Sequence, residues 1–224
     1  MGGFGRPPNP PARDPSAKPP DRASASRSRA LRIVLASASP RRRELLQRLI
    51  GGFEVIPSAL DERLEPGPFT ETIARLAELK ARAVAASQPS RVILAADTMV
   101  ILDGEALGKP ADAAAAVAML QRLRGREHEV MTGVAVLDGR TARVWTGTEE
   151  SRVVMARYPD AVIERYVDSG APLDKAGGYA VQDFDGALVD AVVGSYTNVI
   201  GLPLGLTVRL LTSTGVRLSG WSSA

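Results

Sequence analysis

Apolar residues in this chain fall into short blocks that begin at Leu31 and change their spacing from block to block. Leu31–Ala36 and Val92–Ala96 are continuous apolar runs, the pattern of strands buried on both faces. Between them, Arg41–Leu49 has helical spacing and stops at Gly51, Phe53–Ile56 is a short strand, and Thr70–Ala86 is a second helix. The strand Arg91–Asp97 is followed by Met99–Leu102 and Ala106–Leu107, which flank the hairpin pair Asp103-Gly104. Ala111–Arg124 predicts a helix closed by Gly125, and Val130–Leu137 and Ala142–Met155 predict strands joined around Asp138-Gly139. Pro159–Val167 predicts a helix ending near Gly170, and Pro203–Leu211 opens a last one; Ala180–Val181, Ala187–Val189 and Val192–Val193 read as short strand pieces. Helix–strand alternation gives way to hairpins. The expected fold class is therefore α/β, a mixed twisted sheet with flanking helices rather than an all-parallel one.

Residues 1–30 break from this pattern. They hold seven of the 16 prolines and no aliphatic larger than alanine after Met1. Such a segment cannot bury enough apolar surface to offset its ordering entropy, so it reads as a disordered extension. Two acids and the proline density argue against an organelle transit peptide, and no apolar core of secretory type is present. The domain is expected at 31–214, with a loose tail at 215–224.

Composition then narrows the chemistry. There is no cysteine and one histidine, His128, so disulfides, thiolate zinc sites and multi-histidine metal sites are excluded. His128 lies in an alternating polar strand start and reads as structural. The net charge of +3 is misleading: residues 1–30 carry +4 and the remainder −1, which leaves the domain no bulk positive charge for nucleic acid. Aromatics at 4% are too sparse for a base-stacking platform, and no apolar run approaches a membrane span. Walker A, GxGxxG and HExxH patterns are absent.

Three places violate local rules. Ser39 and Pro40 make a good helix start, yet Arg41, Arg42 and Arg43 crowd a turn where the helix dipole already disfavours cations. Free N–H groups, the Ser37 and Ser39 hydroxyls and guanidinium groups together suit an anion, although a solvated basic helix start has the same letters. Arg42 lies on the stripe with Leu45, Leu46 and Leu49, where a cation needs a carboxylate or a bound anion. Lys80 falls within the apolar stripe of Ile73, Leu76, Ala77, Ala83 and Val84; it either snorkels to the rim or meets a phosphate. Asp97 closes the apolar run 92–96, the expected carboxyl end of a buried strand, as a metal ligand, a general base or an ordinary turn residue. Lys109, in Gly108-Lys109-Pro110, and the glycine-containing loop Asp174–Gln182 are weaker signals.

Taken in order, Leu35-Ala36-Ser37-Ala38-Ser39-Pro40-Arg41-Arg42, Asp61-Glu62, Lys80, Ala96-Asp97-Thr98, Gly108-Lys109-Pro110, the Asp174–Gln182 loop and Gly194–Pro203 resemble the Maf family of nucleoside triphosphate pyrophosphatases, also called septum-formation inhibitor proteins. The resemblance runs from about Leu31 to Leu211 and leaves out the extension. It implies an elongated two-lobed fold with a central cleft, similar to inosine-triphosphate pyrophosphatases. It implies cytoplasmic hydrolysis of a nucleoside triphosphate to monophosphate and pyrophosphate, with a divalent cation (Mg²⁺, Mn²⁺ or Co²⁺) and without a nucleic-acid or membrane partner. A homodimer is a family-level expectation.

By the same resemblance, Asp97 is the proton acceptor that activates water, and Ser37, Arg41, Glu62, Lys80 and Lys109 line the pocket, with Glu62 and Asp97 near the metal. Arg41, Thr98 and Gln182 match the branch that prefers dTTP, UTP and modified pyrimidine triphosphates. The 7-methyl-GTP branch tends to carry Trp, Ser and Glu there. A glutamine amide offers both a donor and an acceptor to a uracil or thymine edge. A non-enzymatic nucleotide-binding regulator of cell division and a nucleic-acid binder working through the basic extension are the other classes of reading.

Overall fold

In the computed structural model the described residues are 33–60, 67–216 and 218. The extension at 1–30, Asp61-Glu62 and most of the tail lie outside them. The described chain runs β1 (Ile33–Leu35), α1 (Pro40–Gln47), β2 (Glu54–Val55), α2 (Phe69–Ala85), β3 (Val92–Leu102), β4 (Glu105–Leu107), α3 (Ala113–Leu123), β5 (Glu127–Asp138), β6 (Arg143–Met155) and α4 (Asp160–Asp168). Three short 3-10 turns over 171–186, then β7 (Val189–Val193), α5 (Tyr196–Ile200) and α6 (Leu204–Ser213) complete it.

One seven-stranded mixed sheet organises these elements in the order β2-β1-β3-β5-β6-β7, with β4 pairing β3 off that path. β1 is parallel to β2 and β3, whereas β3 with β4, β3 with β5, and β5 with β6 are antiparallel. The expected mixed α/β class is what forms. Alternation along β3 sends Ile93 and Ala95 to one face, against Ala77, Ala81 and Val84 of α2. Leu94 and Ala96 go to the other face, with Leu45 and Leu46 of α1 and Leu206 and Leu211 of α6. Farther along that second face, Val100 and Leu102 pack with Leu120 and Leu123 of α3 and Ile163 and Tyr166 of α4.

Several sequence expectations shift in position. The strands expected at 91–97 and 99–102 are one eleven-residue strand, so Asp97 lies inside β3 instead of closing it. No strand forms at Ala180–Val181, which lies between two 3-10 turns, and of the pieces at 187–189 and 192–193 only the part from Val189 onward joins β7. Periodicity could not show these outcomes, because strand continuity past Asp97 depends on β5: Asp97 pairs with Gly133 and Thr98 with Thr132.

That pairing matters for the site because of length mismatch. β1 accompanies β3 only from Val92 to Leu94, and β4 joins it only from Val100. Between them, β3 has a strand partner on the β5 side alone. This notch in the sheet opens beside Asp97 and Thr98.

Gly133, opposite Asp97, lets α2 sit directly on the sheet. A methyl group there would lie 2.3 Å from the Ile73 carbonyl oxygen and 2.9 Å from the Ala74 nitrogen. Both atoms are backbone and cannot swing aside. Gly133→Ala is expected to destabilise the fold by about 2–3 kcal/mol, as overpacking does. Urea denaturation compared with the unsubstituted chain measures it.

Candidate active site

The notch is filled from three directions. From the end of β1 comes Ser37, buried, followed by Ser39, whose side chain accepts from the Arg42 N–H at 3.4 Å and caps α1. Pro40 occupies the first helical turn, as expected. From α2 comes Lys80, buried on the apolar face as its position in the stripe required. From β3 come Asp97 and Thr98, on opposite faces of the strand yet opening into one cleft because the edge between them is unpaired.

Two adjoining pockets result. One is lined by the Ser37–Arg42 turn with Ser58, Lys80, Lys109 and Asp174. The other reaches Asp97, Thr98, Lys175 and Tyr179, with Val100, Val130, Val181, Val199 and Ile200 as apolar wall. Ser39, Arg41, Arg42, Lys109 and Asp174 belong to both. The first, basic and set at a helix N-terminus, has the make-up of an anion chamber; the second is a slot in which an apolar wall faces polar and charged side chains.

Lys80 joins the two. Its Nζ donates to Asp97 Oδ1 at 2.5 Å, with side chains 6% and 13% exposed. Lys80 thus neither snorkels to the rim nor serves a phosphate alone: it fixes the carboxylate while facing the anion chamber. Removing either partner would leave a poorly hydrated charge uncompensated.

Arg41 pairs with Asp174 across the shared wall at 3.5 Å. Asp174 also accepts from Lys175 Nζ at 2.7 Å. Burial alone would push the Asp174 carboxyl up, but the bonds from Lys175 and Arg41 prevail and hold it below the usual carboxylate range. Arg42 turns inward as its position in the stripe required. Its guanidinium donates to the Gly201 carbonyl at 2.8 Å, Thr98 Oγ1 at 2.9 Å and Ser37 Oγ at 3.4 Å, so it braces the cleft. Lys109 is exposed at the rim of both pockets.

Gln182 stands apart from this cluster. It is exposed and not among the lining residues, although Ala180 and Val181 just before it are. Its loop is strained: Phe184 and Asp185, neither of them glycine, have φ of 51° and 54°. The loop is held by Phe184, whose ring meets Tyr166 at a tilt of 55° and 5.2 Å between centroids, and by the Tyr166 hydroxyl donating to Asp183 Oδ2. Glu62, expected near a metal, lies outside the described residues.

Sequence reading missed the Arg41–Asp174 pair, the Lys175 anchor and the polar run behind Thr98. The one available signal was Thr132, a hydroxyl in the apolar strand Val130–Leu137.

For a metal ion, no cluster of three His, Asp or Glu forms among the described residues. Asp97 Oδ2, with no hydrogen-bond partner among those residues, offers one hard donor. One carboxylate, completed by water and a ligand's phosphate oxygens, fits Mg²⁺ or Mn²⁺, which seldom use all-protein cages.

Fold and site together define an α/β protein with a basic cleft set against a buried lysine–aspartate pair. A family model described as Maf-like protein matches residues 32–214, and the chain belongs to that family. It is 50% identical over 193 residues to the dTTP/UTP pyrophosphatase of Anaeromyxobacter dehalogenans (strain 2CP-C), covering 84% of this chain and 96% of that protein. It is 46% identical over 194 residues to the dTTP/UTP pyrophosphatase of Salinibacter ruber, covering 86% and 95%. The solved structure of the Staphylococcus aureus Ham1 protein aligns with a TM-score of 0.48 at 17% identity, over 82% of this chain and 99% of that one.

His128 supports the slot from behind. It is buried, with Nε2 2.7 Å from the hydroxyl of Tyr179, a pocket-lining residue, and Nδ1 without a partner. Burial pushes its pKa down from 6.5 to about 4. Between those values the unfolded chain binds a proton that the folded chain does not, so stability rises with pH. The contribution is complete above about pH 6.5 and fades as pH falls through 4, roughly 3 kcal/mol in all. Urea unfolding at pH 7 and pH 4.5 should show the fall, and His128→Phe should reduce it.

Proposed function

We propose that this chain hydrolyses a nucleoside triphosphate to the monophosphate and pyrophosphate, with dTTP and UTP preferred, by attack of water on the α-phosphorus. The observation that carries the reading is the Lys80–Asp97 pair at the junction of a basic chamber and a slot with one apolar wall. A nucleotide has that shape: a polyanion on one side, a flat ring on the other, and the scissile phosphorus between. Relatives at 46–50% identity carry the name dTTP/UTP pyrophosphatase.

In this reading the phosphates lie at the α1 N-terminus, with Ser37, Ser39, Arg41, Lys80 and Lys109 as donors. Lys80 holds Asp97 Oδ1, and Oδ2 takes the proton of the attacking water. The water oxygen bonds to the α-phosphorus, the bridging bond to the β-phosphate breaks, and pyrophosphate carries away the electron pair. A divalent cation held by Glu62, by family resemblance, and by Asp97 through an intervening water would neutralise charge on the phosphate oxygens and leave Oδ2 to act as the base. Positioning and charge neutralisation supply most of the rate, as in other phosphoryl transfers. The pyrimidine reading rests on Arg41 and Thr98 at the slot and on Gln182 in the adjoining loop.

The test is pyrophosphate release from dTTP, UTP, CTP, GTP, 7-methyl-GTP and ITP with Mg²⁺ or Mn²⁺, and with EDTA as control. Metal-dependent release led by dTTP and UTP is expected. Preference for 7-methyl-GTP would keep the reaction and reject the substrate assignment; no release at all would reject both. Asp97→Asn should lower kcat by about 10²–10⁴-fold, the range for a lost general base, with an unchanged far-ultraviolet spectrum. Near-normal turnover in that variant would remove the role.

A further inference from the structure

Behind Thr98 runs a chain of hydrogen bonds that fixes which way its hydroxyl points. Arg42 Nη2 donates to Thr98 Oγ1 at 2.9 Å. Thr98 Oγ1 and Thr132 Oγ1 lie 2.9 Å apart, and Thr132 Oγ1 donates to the Asn198 carbonyl at 3.2 Å. Thr132 and Asn198 are fully buried, and Asn198 is itself pinned by Nδ2 bonds to the Val130 carbonyl at 2.9 Å and Ser151 Oγ at 3.0 Å.

A hydroxyl has one hydrogen and two lone pairs. Arginine has no acceptor, so one Thr98 lone pair is taken by Arg42. Thr132 places its only hydrogen on a carbonyl, which can only accept. Meeting every contact at once therefore requires Thr98 to donate its hydrogen to Thr132. The second lone pair is all that Thr98 has left, and Thr98 lines the slot walled by Val130, Val181 and Val199. Gly201 leaves the space beside that hydroxyl open: a methyl group there would crowd Thr98 Oγ1 at 3.3 Å.

We infer that Arg42 and Thr132 are positioning residues that lock Thr98 as a hydrogen-bond acceptor, so that the slot selects a base edge offering an N–H donor, the N3–H of a uracil or thymine ring. This rests on the triphosphate reading above and deepens it. Ring position 3 then lies opposite Thr98: there cytosine, whose edge N–H groups are on the exocyclic N4, carries a lone pair that would face the Thr98 lone pair. A buried polar group left unpaired, or two acceptors forced together, discriminates more strongly than an absent methylene does.

The experiment measures kcat/KM for UTP, CTP, 3-methyl-UTP and dUTP with the full chain, then with Thr132→Val and Thr132→Ser. The unsubstituted protein should favour UTP over CTP and over 3-methyl-UTP by about tenfold or more. Valine keeps the shape of Thr132 but removes the acceptor, which frees the Thr98 hydrogen to turn into the slot. The UTP/CTP ratio should then fall about tenfold in Thr132→Val and hold in Thr132→Ser. A purely structural loss would lower both substrates together and leave the ratio unchanged, which would overturn the inference. So would equal use of UTP and CTP by the unsubstituted protein, a result that needs no variant to fold. A preference for UTP over dUTP with CTP equal to UTP would assign the acceptor to the sugar and also overturn it. Those outcomes keep the hydrolase reading, whereas no pyrophosphate release from any nucleotide would take down both.

Discussion

Everything in the cleft depends on a mismatch in strand length. β3 is eleven residues long and β1 only three, so one edge of β3 is left without a strand between Leu94 and Val100. Neighbours on a strand normally face opposite sides of a sheet and cannot share a site. At an open edge they can. Asp97 faces the α2 side and Thr98 the α1 and α6 side, yet both reach one pocket. A carboxylate braced by a lysine from one layer is thereby set beside a hydroxyl braced by an arginine from the other.

Such a notch is costly unless its polar groups are met, because buried polar and charged groups left unpaired lose their hydration. Two cations that reach into the cleft are both engaged: Lys80 with Asp97, and Arg42 with Thr98, Ser37 and the Gly201 carbonyl. These bonds cross between elements far apart in sequence, so the cleft is held open by the same contacts that tie α1, α2, β3 and α5 together. The pairs nearer solvent, such as Arg41 with Asp174, have a partner 64% exposed and contribute little to stability. The division between a rigid interior and a solvent-exposed rim suits a site that must keep its geometry while its substrate comes and goes.

The reach of sequence reasoning was uneven, for physical reasons. The start of α1 was legible because capping is local: Ser39, Pro40 and the misplaced arginines act within four residues. The inward direction of Arg42 and Lys80 was legible because helical period fixes the face. The end of the strand at Asp97 was misread, since a carboxylate after an apolar run looks like a terminus. Only its pairing with Gly133 carries β3 onward. Gln182 fits a pyrimidine edge by its chemistry, but the path of its loop depends on Phe184, Tyr166 and Asp183 meeting across α4.

By itself, then, the sequence determined the class of fold, the family motifs, and the residue types available for chemistry: carboxylates, lysines, arginines and hydroxyls, with no thiol and a single histidine. These follow from period, capping and composition, which are properties of neighbours in the chain. The tertiary structure alone decided that Lys80 closes on Asp97, that Arg41 meets Asp174, and that Thr98 is bound from behind through Thr132 to Asn198. Those contacts join residues from 17 to 133 positions apart or relay through a third element. Their geometry is set by sheet order and helix packing, which no local spacing encodes.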